Sequence, residues 1–305
     1  MSLASPSLTP ELDAAIELAD GRTLSYGVLG DPDGAATVIV LDGPGSRGLA
    51  RAAGPAAAER GLRLIAPDRP GFGRSTPRPG RTFADVAADA LALADALGAS
   101  RYGLLAQSGG TPYALALAAA APARVTGLAL AGGLSPLGED DALEDVAGPM
   151  RAPFVLARRA PWLLRPLFAI AARGTRRDPE RTARRFAGAA PPADRAALDD
   201  ERVWQLHVRT TAESLEAPAE WAREAELLAR PWGIELGAIR APVALWVGER
   251  DVTHPPVMSR RLAARLGDAP VTVVPGAATF GLLPVLGDAL AFAARAHPVP
   301  EARPA

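Results

Sequence analysis

Two kinds of segment alternate through both ends of this chain of 305 residues, and between those ends the alternation stops. Short apolar, β-rich runs fall at 16–19, 24–29, 38–41, 63–66, 102–106, 125–131, 243–247 and 271–274. Between them, 48–60, 82–97, 111–120, 256–266 and 282–296 carry Ala, Leu and Arg, with apolar residues three and four apart. That spacing predicts helices. An opening hairpin followed by strand–helix alternation predicts an α/β fold, a mostly parallel sheet covered by helices on both faces. From 137 to 236 only helical patterns occur, such as those at 160–172 and 202–215, separated by Pro and Gly. The expected organisation is therefore a core at 1–136 and 237–305, with a helical cap inserted at 137–236.

Composition narrows the chemistry. The chain has 33 basic and 34 acidic residues and no cysteine. Near-zero net charge gives no whole-chain footprint for nucleic acid or an anionic membrane as the dominant partner. Without cysteine there is no thiol nucleophile, disulfide or Cys-based metal site. The start of the chain lacks the pattern of a secretory signal, and no run approaches the ~20 apolar residues of a membrane span. The expectation is a cytoplasmic protein acting on a small molecule. Locally the charge is uneven, because ten arginines between Arg151 and Arg185 face only Asp178 and Glu180. A solvated helical face is the simpler reading, an anion-recognising surface the alternative.

The strongest local motif runs from Tyr102 to Tyr113, YGLLAQSGGTPY. An apolar strand leads into a turn with Ser108 at its apex and small residues, Ala106 and Gly110, two positions to either side. A sharp strand-to-helix turn needs small residues there, because a bulky Cβ would clash across it. The apex side chain then stands at the amino end of a helix, where the Gly109 N–H and the helix dipole can stabilise an oxyanion. The alternative is an ordinary glycine-containing turn between strand and helix.

With this motif the chain resembles the α/β-hydrolase superfamily over almost its whole length. Four further segments carry the resemblance: LDGPGSR at 41–47, APDRPGFGRS at 66–75, GERD at 248–251 and VPGAAT at 274–279. The resemblance implies, in that order, the oxyanion loop, a structural turn, the loop of the triad acid and the loop of the triad histidine. It assigns Ser108 as nucleophile and Asp251 as the acid.

Several positions depart from that pattern. Thr279 stands where the histidine is expected, and a threonine cannot act as a general base near neutral pH. The oxyanion loop is one residue short. Asp42 replaces its usual histidine, and Pro44 falls beside Gly43 at the donor position, where it has no N–H to offer. An ionised Asp42 close to a developing oxyanion would repel it. Loss of the histidine base alone typically costs about 10⁶-fold in turnover.

Three histidines could compensate. His254 lies three residues beyond Asp251 and is the candidate relocated acid or base, its simpler reading being a loop residue before the next helix. His207, near Trp204, could face a substrate from the insertion or merely pack there. His297 sits in a Pro-rich tail. Gln107, Thr279, His207 and Trp204 are the expected pocket residues. No spacing of His, Asp or Glu suggests a metal, and no glycine-rich loop suggests a cofactor.

Three functions remain open on these residues. The first is cofactor-free acid–base chemistry, an elimination, cyclisation or isomerisation using Asp42, Ser108 and Asp251. The second is a serine hydrolase of an ester, thioester or amide with a relocated histidine. The third is a non-catalytic protein that binds a metabolite.

Overall fold

The computed structural model describes residues 11–43, 45–138, 143–146 and 151–295. Eight strands form one sheet: β1 (Leu12–Glu17), β2 (Thr23–Gly30), β3 (Ala36–Leu41), β4 (Leu62–Pro67), β5 (Tyr102–Ser108), β6 (Val125–Gly133), β7 (Val243–Gly248) and β8 (Val271–Val274). Their spatial order is β1-β2-β4-β3-β5-β6-β7-β8. The pairs β1–β2 and β2–β4 are antiparallel, and every later pair is parallel. The fold class is the α/β arrangement expected.

Side-chain alternation along the central strands explains the two layers of helices. Ile39 and Leu41 of β3 join Leu104 and Ala106 of β5 in a core shared with α2 (Phe83–Ala96), α3 (Thr111–Ala120) and the later helix Pro256–Arg265. Val38, Val40 and Leu105 point the opposite way, into a second core with α1 (Gly48–Glu59) and the final helix Leu286–Ala293. Strands buried on both faces need apolar residues at successive positions, which is why β5 reads as an unbroken apolar run. Helix α2 starts at a reciprocal capping box, Thr82 with Asp85, that satisfies two otherwise orphaned N–H groups.

Between β6 and β7 the described residues contain no strand. They hold α4 (Arg151–Arg159), α5 (Leu164–Arg177), α6 (Pro179–Ala189), α7 (Pro192–Ala197), α8 (Glu201–Glu216) and α9 (Pro218–Leu228). These helices have a core of their own, in which Phe168 meets Trp221 edge-on at 4.2 Å. After β7 come α10 (Pro256–Arg265) and α11 (Leu286–Ala293). No helix among the described residues is long and apolar enough to cross a membrane.

Three boundaries differ from expectation. The first strand lies at Leu12–Glu17 rather than 16–19, because it pairs along β2 from Leu12 opposite Val28 to Glu17 opposite Thr23. Leu18 is buried but already belongs to the connection that turns at Gly21, where φ is +80°. The last helix begins at Leu286 rather than 282, after a tight 3-10 segment, Phe280–Val285. Pro284 lies in that segment and lacks the N–H an α-helix would use. The helix expected from 160 opens with another 3-10 turn, Pro161–Leu163, before α5.

Candidate active site

The site is built where β5 turns into α3. Ser108 ends the strand with φ at +50°, a left-handed conformation that costs a non-glycine residue about 1–2 kcal/mol. The turn closes through Gly110 N–H donating to the Gln107 carbonyl at 2.8 Å. A Cβ on Gly110 would run into the Leu41 carbonyl oxygen, so only glycine lets β3 and the turn approach this closely. Ser108 is thereby held half-buried at the end of the central strand, ahead of the helix amino terminus.

The loop after β7 supplies an imidazole to it. Asp251 Oδ1 accepts the N–H groups of Thr253 and His254, each at 2.8 Å, which curls the loop back on itself. His254 then turns inward, 3% exposed, with Nε2 2.9 Å from Ser108 Oγ. Its Nδ1 faces Asp251 Oδ2 at 3.5 Å, an electrostatic contact longer than a hydrogen bond. Thr279, in the position expected for a histidine, donates its hydroxyl to the same Asp251 Oδ2 at 2.8 Å. Burial alone would raise the Asp251 carboxyl, but the His254 ring and the hydrogen bonds it receives outweigh that and hold it at about 2. Of the three histidines, it is therefore His254, the candidate for relocation, whose ring lies beside the Ser108 hydroxyl. The carboxylate needs only three residues of loop to bring an imidazole to the hydroxyl.

Asp42 does not turn toward that group. Its Oδ1 accepts the Gly43 N–H at 2.6 Å, while Oδ2 accepts Ser46 Oγ at 2.7 Å and Leu49 N–H, in the first turn of α1, at 2.9 Å. Nor does its carboxylate pair with Arg47 or Arg69, the two arginines nearest it in the sequence motifs. Arg47 binds Glu11, Asp13 and Asp68. Arg69 donates instead to the carbonyl oxygens of Asp42 (3.0 Å) and Gly43 (2.7 Å). Gly43 lies beside the serine, since a Cβ placed on it would stand 3.9 Å from Ser108 Oγ. Pro44 and His297 lie outside the described residues.

Two carboxylates that sequence reasoning missed complete the surroundings. Glu224 of α9, fully buried, accepts the Tyr113 hydroxyl at 2.7 Å and Arg81 at 2.8 Å, and lies 3.3 Å from Arg69 Nε. Burial works against its charge, and the two guanidinium groups more than offset this, so its pKa is lowered. The same burial, reinforced by Glu224, pushes the Tyr113 hydroxyl well up. Asp194 of α7 is also buried, accepting the Phe280 N–H at 2.7 Å, and burial raises its carboxyl to about 6 with the Asp251 charge adding to the effect. Glutamates four apart on α9, Glu220 and Glu224, facing Arg81 together are the one signal that could have revealed the first. Nothing in the sequence singles out the second.

A cavity of about 90 Å³ flanks the elbow, with Gln107, Thr279, His207 and Asp42 among its polar walls and Phe280 and Leu282 among its apolar ones. His207 Nε2 lies 3.2 Å from the Ala183 carbonyl, and burial lowers the ring's pKa. Trp204 is not part of the cavity wall and instead meets His207 at 5.9 Å and the Arg184 guanidinium at 5.2 Å. Among the described residues no group of three His, Asp or Glu side chains could hold a metal ion.

Comparison with known proteins agrees with this architecture. A probable proline iminopeptidase from Streptomyces coelicolor is 33% identical over 138 residues, 42% of this chain and 42% of the iminopeptidase's own length. A hydrolase from Pseudomonas aeruginosa superposes with a TM-score of 0.64 at 21% identity, covering 92% of this chain and 97% of the other. The enol-lactonase of Burkholderia xenovorans gives 0.63 at 19% identity, with 91% and 99% covered. A thermophilic esterase from Thermogutta terrifontis gives 0.63 at 22%, with 92% and 93% covered. Likeness at such identities speaks for the fold alone. The alpha/beta hydrolase fold family itself matches residues 38–283, most of the described core and everything inserted in it, and the chain belongs to that family.

Proposed function

We propose that this protein is a serine hydrolase of a small ester, thioester or amide, with His254 as a relocated general base. The observation that carries this reading is the 2.9 Å approach of His254 Nε2 to Ser108 Oγ at a strained elbow. The nearby ionised Asp251 favours the tautomer that carries its proton on Nδ1, which leaves Nε2 free to accept a proton. As Ser108 Oγ adds to the acyl carbonyl carbon, His254 takes the hydroxyl proton. The imidazolium then gives that proton to the departing alcohol, thiol or amine, leaving an acyl-serine. Water repeats the two transfers and releases the acid. The Gly109 N–H, at the amino end of α3, is the oxyanion donor in this scheme.

Non-hydrolytic acid–base chemistry at Asp42 and Asp251 loses its premise, because it presupposed a serine with no base and an Asp42 carboxylate facing the reacting groups. The names of the relatives, an iminopeptidase, an esterase and an enol-lactonase, favour acyl transfer. A purely ligand-binding role gives no reason to strain Ser108 against an imidazole. Residues 137–236 act in this reading as a cap on a core of 1–136 and 237–305, with Leu206, His207 and Thr210 lining the cavity from above.

Intact mass after exposure to a fluorophosphonate tests the proposal. The wild type is expected to gain one label, and Ser108→Ala none. His254→Ala is expected to label at least about 10³-fold more slowly, the scale at which triad members act. A folded wild type that stays unlabelled, or a His254→Ala variant that labels at the wild-type rate, would refute it.

A further inference from the structure

Apolar exposure on this molecule is concentrated in one place. Of the eight large apolar side chains exposed among the described residues, five lie between 162 and 186: Trp162 (70%), Leu163, Leu167, Ile170 (70%) and Phe186. Four of them belong to α5 and the tight turn that opens it. The inward stripe of α5, Leu164, Phe168, Ala172 and Thr175, is buried against its neighbours α8 and α9. Leu163, Leu167 and Ile170 follow the spacing i, i+4, i+7 and so form the opposite stripe. Arg173 and Arg177 extend it toward the helix carboxyl end, both exposed. A helix of a protein bathed only in water normally turns charged residues outward along this line.

We propose that the outward face of α5 docks on an anionic lipid surface. Tryptophan and branched aliphatic side chains beside arginines are what an interface helix presents, apolar groups entering the headgroup boundary and guanidinium groups meeting phosphate. The charge supports this partner. All ten arginines between Arg151 and Arg185 are exposed, against Asp178 and Glu180 in the same stretch, and Arg184 pairs with Glu180 at 3.1 Å. A second copy of the chain, docked face to face, would bring two such arginine fields together and be repelled. Nucleic acid would match the charge but leave Leu167 and Ile170 without a counterpart. The near-neutral whole chain conceals this local field, because acidic residues elsewhere cancel it. The contact is peripheral, since no described helix could span a bilayer.

Flotation of the full-length protein with phosphatidylcholine vesicles, with and without an equal share of phosphatidylglycerol, tests this directly. Binding to the anionic vesicles is expected to be at least about tenfold tighter and to weaken in about 0.5 M salt. A blue shift of tryptophan emission should accompany it and vanish in Trp162→Phe. Ile170→Glu and the double variant Arg173→Glu/Arg177→Glu should each weaken binding about tenfold or more. Leu12→Glu, at an exposed apolar position of the edge strand β1 and outside this face, should not. No binding to anionic vesicles, equal binding to neutral ones, or indifference to Ile170→Glu would overturn the proposal. So would sedimentation showing a dimer that Ile170→Glu dissolves, which would assign this face to a second copy.

Discussion

Asp42 shows how one residue's role is set by its immediate donors. Three hydrogen bonds, from Gly43, Ser46 and Leu49, occupy its carboxylate and tie the loop after β3 to the amino end of α1. A negative group there also complements the helix dipole. Asp42→Ala is therefore expected to lower stability by about 1 kcal/mol, the usual value of a lost cap. Turnover per folded molecule should stay within about threefold, because the carboxylate oxygens are bonded to their own loop and to α1 and not turned to Ser108. Steady-state rates on an ester, beside urea unfolding of the same preparations, measure both. A collapse of kcat in a stable variant would return Asp42 to the reacting groups.

On the scale of elements, the loop after β3 is tied to α9 through a single side chain. Arg69 holds two carbonyl oxygens of that loop and lies against Glu224, while Glu224 also receives Tyr113 from the elbow helix α3. The guanidinium is planar and forked, and stacks on the Tyr113 ring at 4.8 Å. Lysine would keep the charge but could not bridge three oxygens at fixed angles. Arg69→Lys is predicted to lower kcat about tenfold or more with KM little changed, since the loop flanking Ser108 would lose its register without losing its fold. Michaelis kinetics on a chromogenic ester decide the matter, and an unchanged kcat would limit Arg69 to a structural part. The elements themselves were largely legible. The apolar runs gave the strands and the Ala-rich segments the helices, because both periods are local properties of the chain. Misplaced boundaries came where pairing or a proline acted, as at Leu12 and Pro284.

For the molecule as a whole, the seating of the inserted helices on the sheet has a pH dependence that can be worked out. Asp194 of α7 is buried against Phe280, its carboxyl raised from 3.8 to about 6. A raised carboxyl binds its proton more tightly in the folded state. Its stabilising contribution is fully present below 3.8 and lost as pH rises through about 6. Above that, the ionised group costs roughly 2–3 kcal/mol. Asp251 has the opposite sign, for its carboxyl is held at about 2 and its contribution disappears as pH falls from 3.8 toward that value. Asp194→Asn, which keeps an acceptor for Phe280, should therefore gain stability relative to wild type between about pH 5 and about pH 8. Urea midpoints at the two pH values test it, and a constant difference would show that Asp194 does not titrate in this range.

Periodicity, turn chemistry and motif order are properties of neighbouring residues, and from them the sequence alone determined the α/β sheet, the helical stretch between β6 and β7, and an elbow with Ser108 at its apex. Contacts between distant residues obey no such local rule. Only the tertiary structure decided that His254, 146 positions from Ser108, meets its hydroxyl while Thr279 takes the remaining oxygen of Asp251. It alone turned Asp42 toward its own loop and brought Asp194 and Glu224 from the insertion onto the core. The physical reason is the same in each case: a buried polar group must find a partner, and which partner it finds depends on what the completed fold places within about 3 Å of it.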